Sequence, residues 1–137
     1  MENKPVIEIQ NKYKDYNYIV LFQPMGYRCG YVQVPYWHKL YECDYEECDI
    51  TCHGGLTYGD HRLLDQYFPH AYWIGFDCAH GFDLADIQST EKYYGEGSAA
   101  WVNPIVNKEN EDFVQVRDLD YCITQCRNII DQLVELE

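Results

Sequence analysis

Two short stretches concentrate the side chains that do chemistry: HGGLTY at 53–58 and WIGFDCAHGFD at 73–83. The first offers the imidazole of His53 followed by Gly54, Gly55, Thr57 and Tyr58, and the second offers Trp73, Asp77, Cys78, His80 and Asp83. Several chemistries fit these types. His38, His53, Asp77, His80 and Asp83 supply enough imidazole and carboxylate donors for a divalent metal with an open position, which would acidify a bound water. Without a metal, His53, Asp77 and His80 supply the bases and orienting acid of a hydrolase, and Cys78 a possible nucleophile. Binding without turnover is the third. Glycines at 54, 55 and 75 admit a ligand close to the backbone, and the amides after His53 suit an anion. Arg28, Arg62 and Arg117 suit phosphate, and Trp73, Tyr58 and Trp37 suit stacking on a base. The plain structural reading is that Asp77 and Thr57 bond loop backbone and that His53 and His80 are satisfied polar residues at the edge of the core.

These groups need rigid elements to position them. Tyr18–Phe22 and Tyr27–Val34 are rich in β-branched and aromatic residues around Pro24-Met25-Gly26, which predicts a hairpin. Val6–Ile9 hints at a short strand within a charged beginning. Cys48–His53 alternates at period two and predicts a half-buried strand ending at His53. A short helix is predicted from an Asp60 cap to Phe68, stopped by Pro69. Tyr72–Cys78 predicts a strand with Tyr72, Ile74, Phe76 and Cys78 on the core face, and Trp73, Gly75 and Asp77 on the other. If it neighbours the strand ending at His53, then His53, Trp73 and Asp77 share one surface. Ser89–Asn110 is compatible with a helix, an edge strand or a loop. After Asp118, Leu119, Cys122, Ile123, Cys126, Ile129, Ile130 and Leu133 recur at helical spacing. The fold class is therefore α+β: a mainly antiparallel sheet packed by a C-terminal amphipathic helix, in one domain spanning 1–137.

The cysteines number seven, an odd count that forbids complete pairing within one chain, so reduced thiols are expected. Cys43, Cys48, Cys52 and His53 could ligate zinc, but their spacing is not that of a knuckle and buried thiols are favoured. No apolar run reaches the roughly 18 residues of a membrane span, and 1–14 is polar, which predicts a cytoplasmic protein with no membrane contact. The net charge of −13 argues against direct binding of nucleic acid. It suits a partner protein with a basic surface, such as a host defence enzyme to be inhibited. Surplus aromatics, Trp37 and Trp101 among them, suggest a homo-oligomer.

The blocks YRCGYVQVP at 27–35, HGGLTY at 53–58 and YWIGFDCAHGFD at 72–83, with His38 and Tyr41 between them and YCITQCRNIIDQL at 121–133, span most of the chain. Together they resemble a group of small proteins encoded by tailed phages and prophages. In those relatives the central block runs closer to WWxGFDCAHAGD. Here Tyr72 stands for the first Trp and Gly81-Phe82 for Ala-Gly, while Asp77, Cys78, His80 and Asp83 remain. The resemblance implies a viral origin and residence in the host cytoplasm. For such an accessory protein the expectation is a small-molecule binder that sequesters a nucleotide immune signal, with Arg28, His53, Gly54, Gly55, Thr57, Tyr58, Trp73, Asp77, His80 and Asp83 around the ligand. No cofactor is required by that reading, although a divalent metal at the histidines would convert it to a hydrolase of a nucleotide-like substrate.

Overall fold

The structure is a computed structural model that describes residues 4–64, 68–101 and 114–137. Strand β1 (Val6–Tyr13) turns into β2 (Tyr16–Phe22) through Lys14 and Asp15, whose φ values of 50° and 67° are those of a tight hairpin turn matched to strand twist. The first strand is longer than its charged sequence suggests, because it lies at the sheet edge where only one neighbour must be satisfied. Strand β3 (Arg28–Val34) completes the expected hairpin with β2. Strands β4 (Tyr58–Asp60) and β5 (Tyr72–Asp77) give a five-stranded antiparallel sheet in the order β1-β2-β3-β5-β4. A short parallel pair, β6 (Asp83–Leu84) with β7 (Gln115–Val116), stands outside it. Helix α1 (Ile87–Tyr94) follows β6, and α2 (Leu119–Glu135) follows β7.

The expected C-terminal helix is present, and the Asp118 carboxylate caps it by accepting from the Tyr121 amide. Its Cys122, Cys126, Ile129, Ile130 and Leu133 are fully buried against Tyr18, Val20, Val32, Ile74 and Phe76 of the sheet. Burying each Ile or Leu contributes about 1.5–3 kcal/mol, so this face anchors the fold. Close approach of the helix depends on Gly30: a Cβ there would lie 2.5 Å from the Phe76 ring and 2.8 Å from the Cys126 sulfur. Gly30→Ala is therefore expected to lose about 1–3 kcal/mol in urea unfolding by overpacking. An unchanged midpoint would show that the helix does not seat on Gly30.

The second sheet face is also covered, which corrects the expected division of β5. Trp73 is completely buried with Ile19, Leu21, Cys29 and Tyr31, beneath Leu63, Leu64 and Phe68. A strand buried on both faces reads as a continuous apolar run, and YWIGF is one.

Two further expectations change. Residues 48–53 form no strand. Their backbone is held by side chains of α2: the Thr51 amide donates to Gln132 Oε1 at 2.8 Å, the His53 amide to Gln125 Oε1 at 2.9 Å, and Gln132 Nε2 to the Thr51 carbonyl at 2.7 Å. Asp60 ends a strand instead of capping a helix, and its carboxylate takes the His61 and Arg62 amides in a turn. Residues 65–67 of the expected helix lie outside the described residues, as do 102–110 of the segment left open at 89–110. The described part of that segment holds most of α1 and a 3-10 turn at Ser98–Trp101.

Candidate functional site

Beyond β5 the chain turns at Ala79–Phe82 and brings His80 and Asp83 back toward the end of the 48–53 segment. Asp83 is the hub. Its side chain is 1% exposed and receives His53 Nε2 at 2.9 and 3.0 Å, the His80 amide and His80 Nδ1 each at 3.0 Å, and Arg117 Nε at 3.0 Å. Burial works to raise the Asp83 pKa, but the hydrogen bonds from His53, His80 and Arg117 outweigh it and hold the carboxyl below its ordinary range. On the far side of the His53 ring, Nδ1 lies 2.6 Å from the Tyr121 hydroxyl. Because Nε2 faces only a carboxylate, the hydrogen-bond network assigns the proton of the neutral ring to Nε2, with Tyr121 donating to Nδ1. Burial pushes the Tyr121 phenol up, so its hydroxyl stays protonated and available as that donor.

The glycines and aromatics around this hub set ring orientation. Gly54 has φ +67°, and a Cβ there would collide with the His80 imidazole, so this glycine seats a ring and does not admit a ligand. Phe82 stacks flat on His80 with centroids 5.0 Å apart and planes 2° from parallel. The Arg117 guanidinium lies over the Tyr121 ring, 5.1 Å from its centroid.

His53, His80 and Asp83 each present a donor atom within 4.8 Å of the others, the one such group among the described residues. Bonds of about 2.0–2.1 Å to a tetrahedral cation would set donors about 3.3–3.4 Å apart. The spacings of His53 Nε2 and His80 Nδ1 from Asp83, near 3.0 Å, are those of hydrogen bonds, so a cation held by these three residues would have to replace the protons they now share. The Tyr121 hydroxyl can then accept from Nδ1–H instead of donating to it, which leaves Nε2 free to ligate. His80 and Asp83 also wall a groove of about 290 Å³ shared with Met25, Tyr27, Ala79 and Ala85.

The other expected site residues lie elsewhere or are committed internally. Arg28 is 4% exposed and bonds Glu8, Asp86, Ser89 and the Arg117 carbonyl, so it is no phosphate contact. Trp73 belongs to the opposite core and cannot stack on a ligand. Tyr58 packs on Tyr31 at 5.4 Å, on that same face. Gly75 accommodates the Tyr31 ring, and the amides of Gly55 and Thr57 bond the carbonyls of Cys52 and Gly75, which removes the expected anion cradle. His38 is pinned, with Nε2 2.8 Å from the Leu133 carbonyl and Nδ1 accepting from the Leu40 amide, so both ring nitrogens are used. Asp77 caps the Ala79 amide and stands 3.9 Å from His80 Nδ1, at the margin of the group. Arg62 is 84% exposed beside Asp60, and Trp37 packs on Tyr16 and His38. All seven cysteines carry free thiols; Cys78 and Cys122 are buried with their sulfurs 3.7 Å apart. Tyr121 and Gln125 were not singled out from the sequence as site residues, and Phe82 was noted only for its place in the central block. The Asp118 cap, which places Tyr121 in the first helical turn, is the signal that pointed toward it.

The fold and this centre define an α+β protein with a buried carboxylate–diimidazole group at the mouth of a groove. No family model matches the chain, and comparison with curated proteins and with solved structures gives no match. Among the described residues no helix is long and apolar enough to cross a membrane.

Proposed function

We propose that the protein is a phage-type small-molecule binder in which His53, His80 and Asp83 take up a divalent cation that holds a phosphate-bearing, nucleotide-like ligand in the adjoining groove. The observation that carries this reading is the convergence of three donors, two of which, His80 and Asp83, line that groove. Charge supports it as well. Arg28 and Arg117 are bonded to carboxylates and the chain carries −13, so an anionic ligand needs a cation from elsewhere. Sequestration is the primary role, and exposure of Tyr36 and Trp37 supports self-association.

The test strips the protein with a chelator, titrates zinc or manganese, and reads bound mass by native mass spectrometry and melting temperature. One cation per chain and a raised melting point are expected, with a further rise when ADP is added. His80 is partly exposed, so His80→Ala is expected to melt near the parent yet lose both responses. A parent that takes no cation, or a variant that takes it equally, overturns the assignment. The chain of Asp83, His53 and Tyr121, an acid orienting a base against a hydroxyl, favours hydrolysis as the second reading. Intact ADP after incubation supports sequestration, and released phosphate supports the hydrolase.

A further inference from the structure

A larger concavity lies at the opposite end of β5 and shares no lining residue with the groove at His80. It encloses about 560 Å³ between Tyr41, His61, Pro69 and His70. An adjoining hollow extends it to Glu42, Asp44 and Asp60. Its walls are aromatic: Tyr41, His61 and Tyr72 contact one another with centroids 5.0–5.8 Å apart. Its polar atoms are weighted toward acceptors. Both ring nitrogens of His61 face oxygens, Glu42 Oε2 at 3.0 Å and the His70 carbonyl at 3.4 Å. Among the described lining residues there are three carboxylates and no lysine or arginine. Glu42 and His70, which flank it, have φ values of 63° and 67°. Residues other than glycine rarely adopt that conformation, and they hold it where the surroundings impose it, often at ligand clamps.

We propose that this groove binds a small organic cation, an ammonium or guanidinium group carried on a compact, partly apolar body. The ring faces attract such a charge, and the carboxylates of Glu42, Asp44 and Asp60 pair with it. An anion would enter against both the local carboxylates and the field of the whole chain. An uncharged apolar ligand would desolvate those carboxylates without return.

The test titrates three probes that share a phenyl ring and differ in charge into the full chain: benzyltrimethylammonium, benzyl alcohol and benzoate. Binding is followed by calorimetry and by the imidazole resonances. Only the cation is expected to bind, at one per chain, shifting His61 and His70 and leaving His53 and His80 unmoved. The Glu42 side chain is 61% exposed, so Glu42→Gln is expected to keep the fold and weaken the cation roughly three- to tenfold. Equal binding of benzyl alcohol, tighter binding of benzoate, shifts confined to His53 and His80, or no heat with any probe each overturns the proposal.

Discussion

Asp83→Ala is expected to lower unfolding stability by about 3–5 kcal/mol and to abolish cation uptake, the largest single effect at the candidate centre. The carboxylate is 1% exposed and accepts from two imidazoles, an amide and a guanidinium. Its removal leaves the Arg117 cation, only 14% exposed, and the donors of His53 and His80 without their common acceptor. Urea unfolding of parent and variant measures it; a loss under about 1 kcal/mol would mean that the hub is wetter than described. The pH dependence has a definite sign. Asp83 is depressed by the bonds named above. At Asp86 burial works upward, but the Ser89 amide and hydroxyl and the Arg28 guanidinium hold the carboxyl below its ordinary value. A depressed carboxyl contributes stability that is present above its unfolded pKa, near 4, and is lost as pH falls through the lower folded value. The parent is therefore expected to lose stability below about pH 4 more steeply than Asp83→Asn, which has no charge there to lose. Parallel acid limbs would contradict the Asp83 shift.

The second large effect is expected at Arg28, where Arg28→Met costs about 3–5 kcal/mol. Its Nε lies 2.5 Å from Glu8 and one Nη lies 3.0 Å from Asp86, while the guanidinium sits 4.9 Å from the Phe22 ring centroid. Glu8 is 4% exposed, so losing the arginine strands a buried charge whose remaining donor is the Tyr93 hydroxyl at 2.6 Å. The double variant Arg28→Met with Glu8→Gln is expected to recover part of the loss, because the stranded charge is removed as well. Arg28→Lys falls between, keeping the charge but losing the forked geometry. A phosphate-binding arginine would behave otherwise, melting like the parent and losing only a ligand.

The legible parts of the fold were those whose burial repeats with the period of one element. The hairpin of β2 and β3, the strand β5 and the α2 stripe announce themselves that way. The pattern at 48–53 misled because Cys48, Ile50 and Cys52 do face the core, yet glutamine and asparagine side chains of α2 take the place of a neighbouring strand. Nothing local in the sequence marks Gln125 or Gln132 for that task. In the candidate centre, His53, His80 and Asp83 were legible as polar residues beside glycine turns. The rest was not, because Arg28 and Trp73 owe their burial to partners from other segments, Glu8 and Asp86 for one and Leu63, Leu64 and Phe68 for the other.

The ligatures between α2 and the 51–53 segment also order events in time. Tyr121 is 68 residues from His53, Gln125 is 72, and Gln132 is 81 from Thr51. A ribosome adds roughly 5–20 residues each second, so His53 waits several seconds for the side chains that fix its ring and its amide. The hairpin and β5 can pair during that interval, whereas the imidazole–carboxylate centre is completed only when α2 is released and docks. A nascent chain halted before Tyr121 holds His53, His80 and Asp83 but none of the α2 side chains that fix the His53 ring and amide.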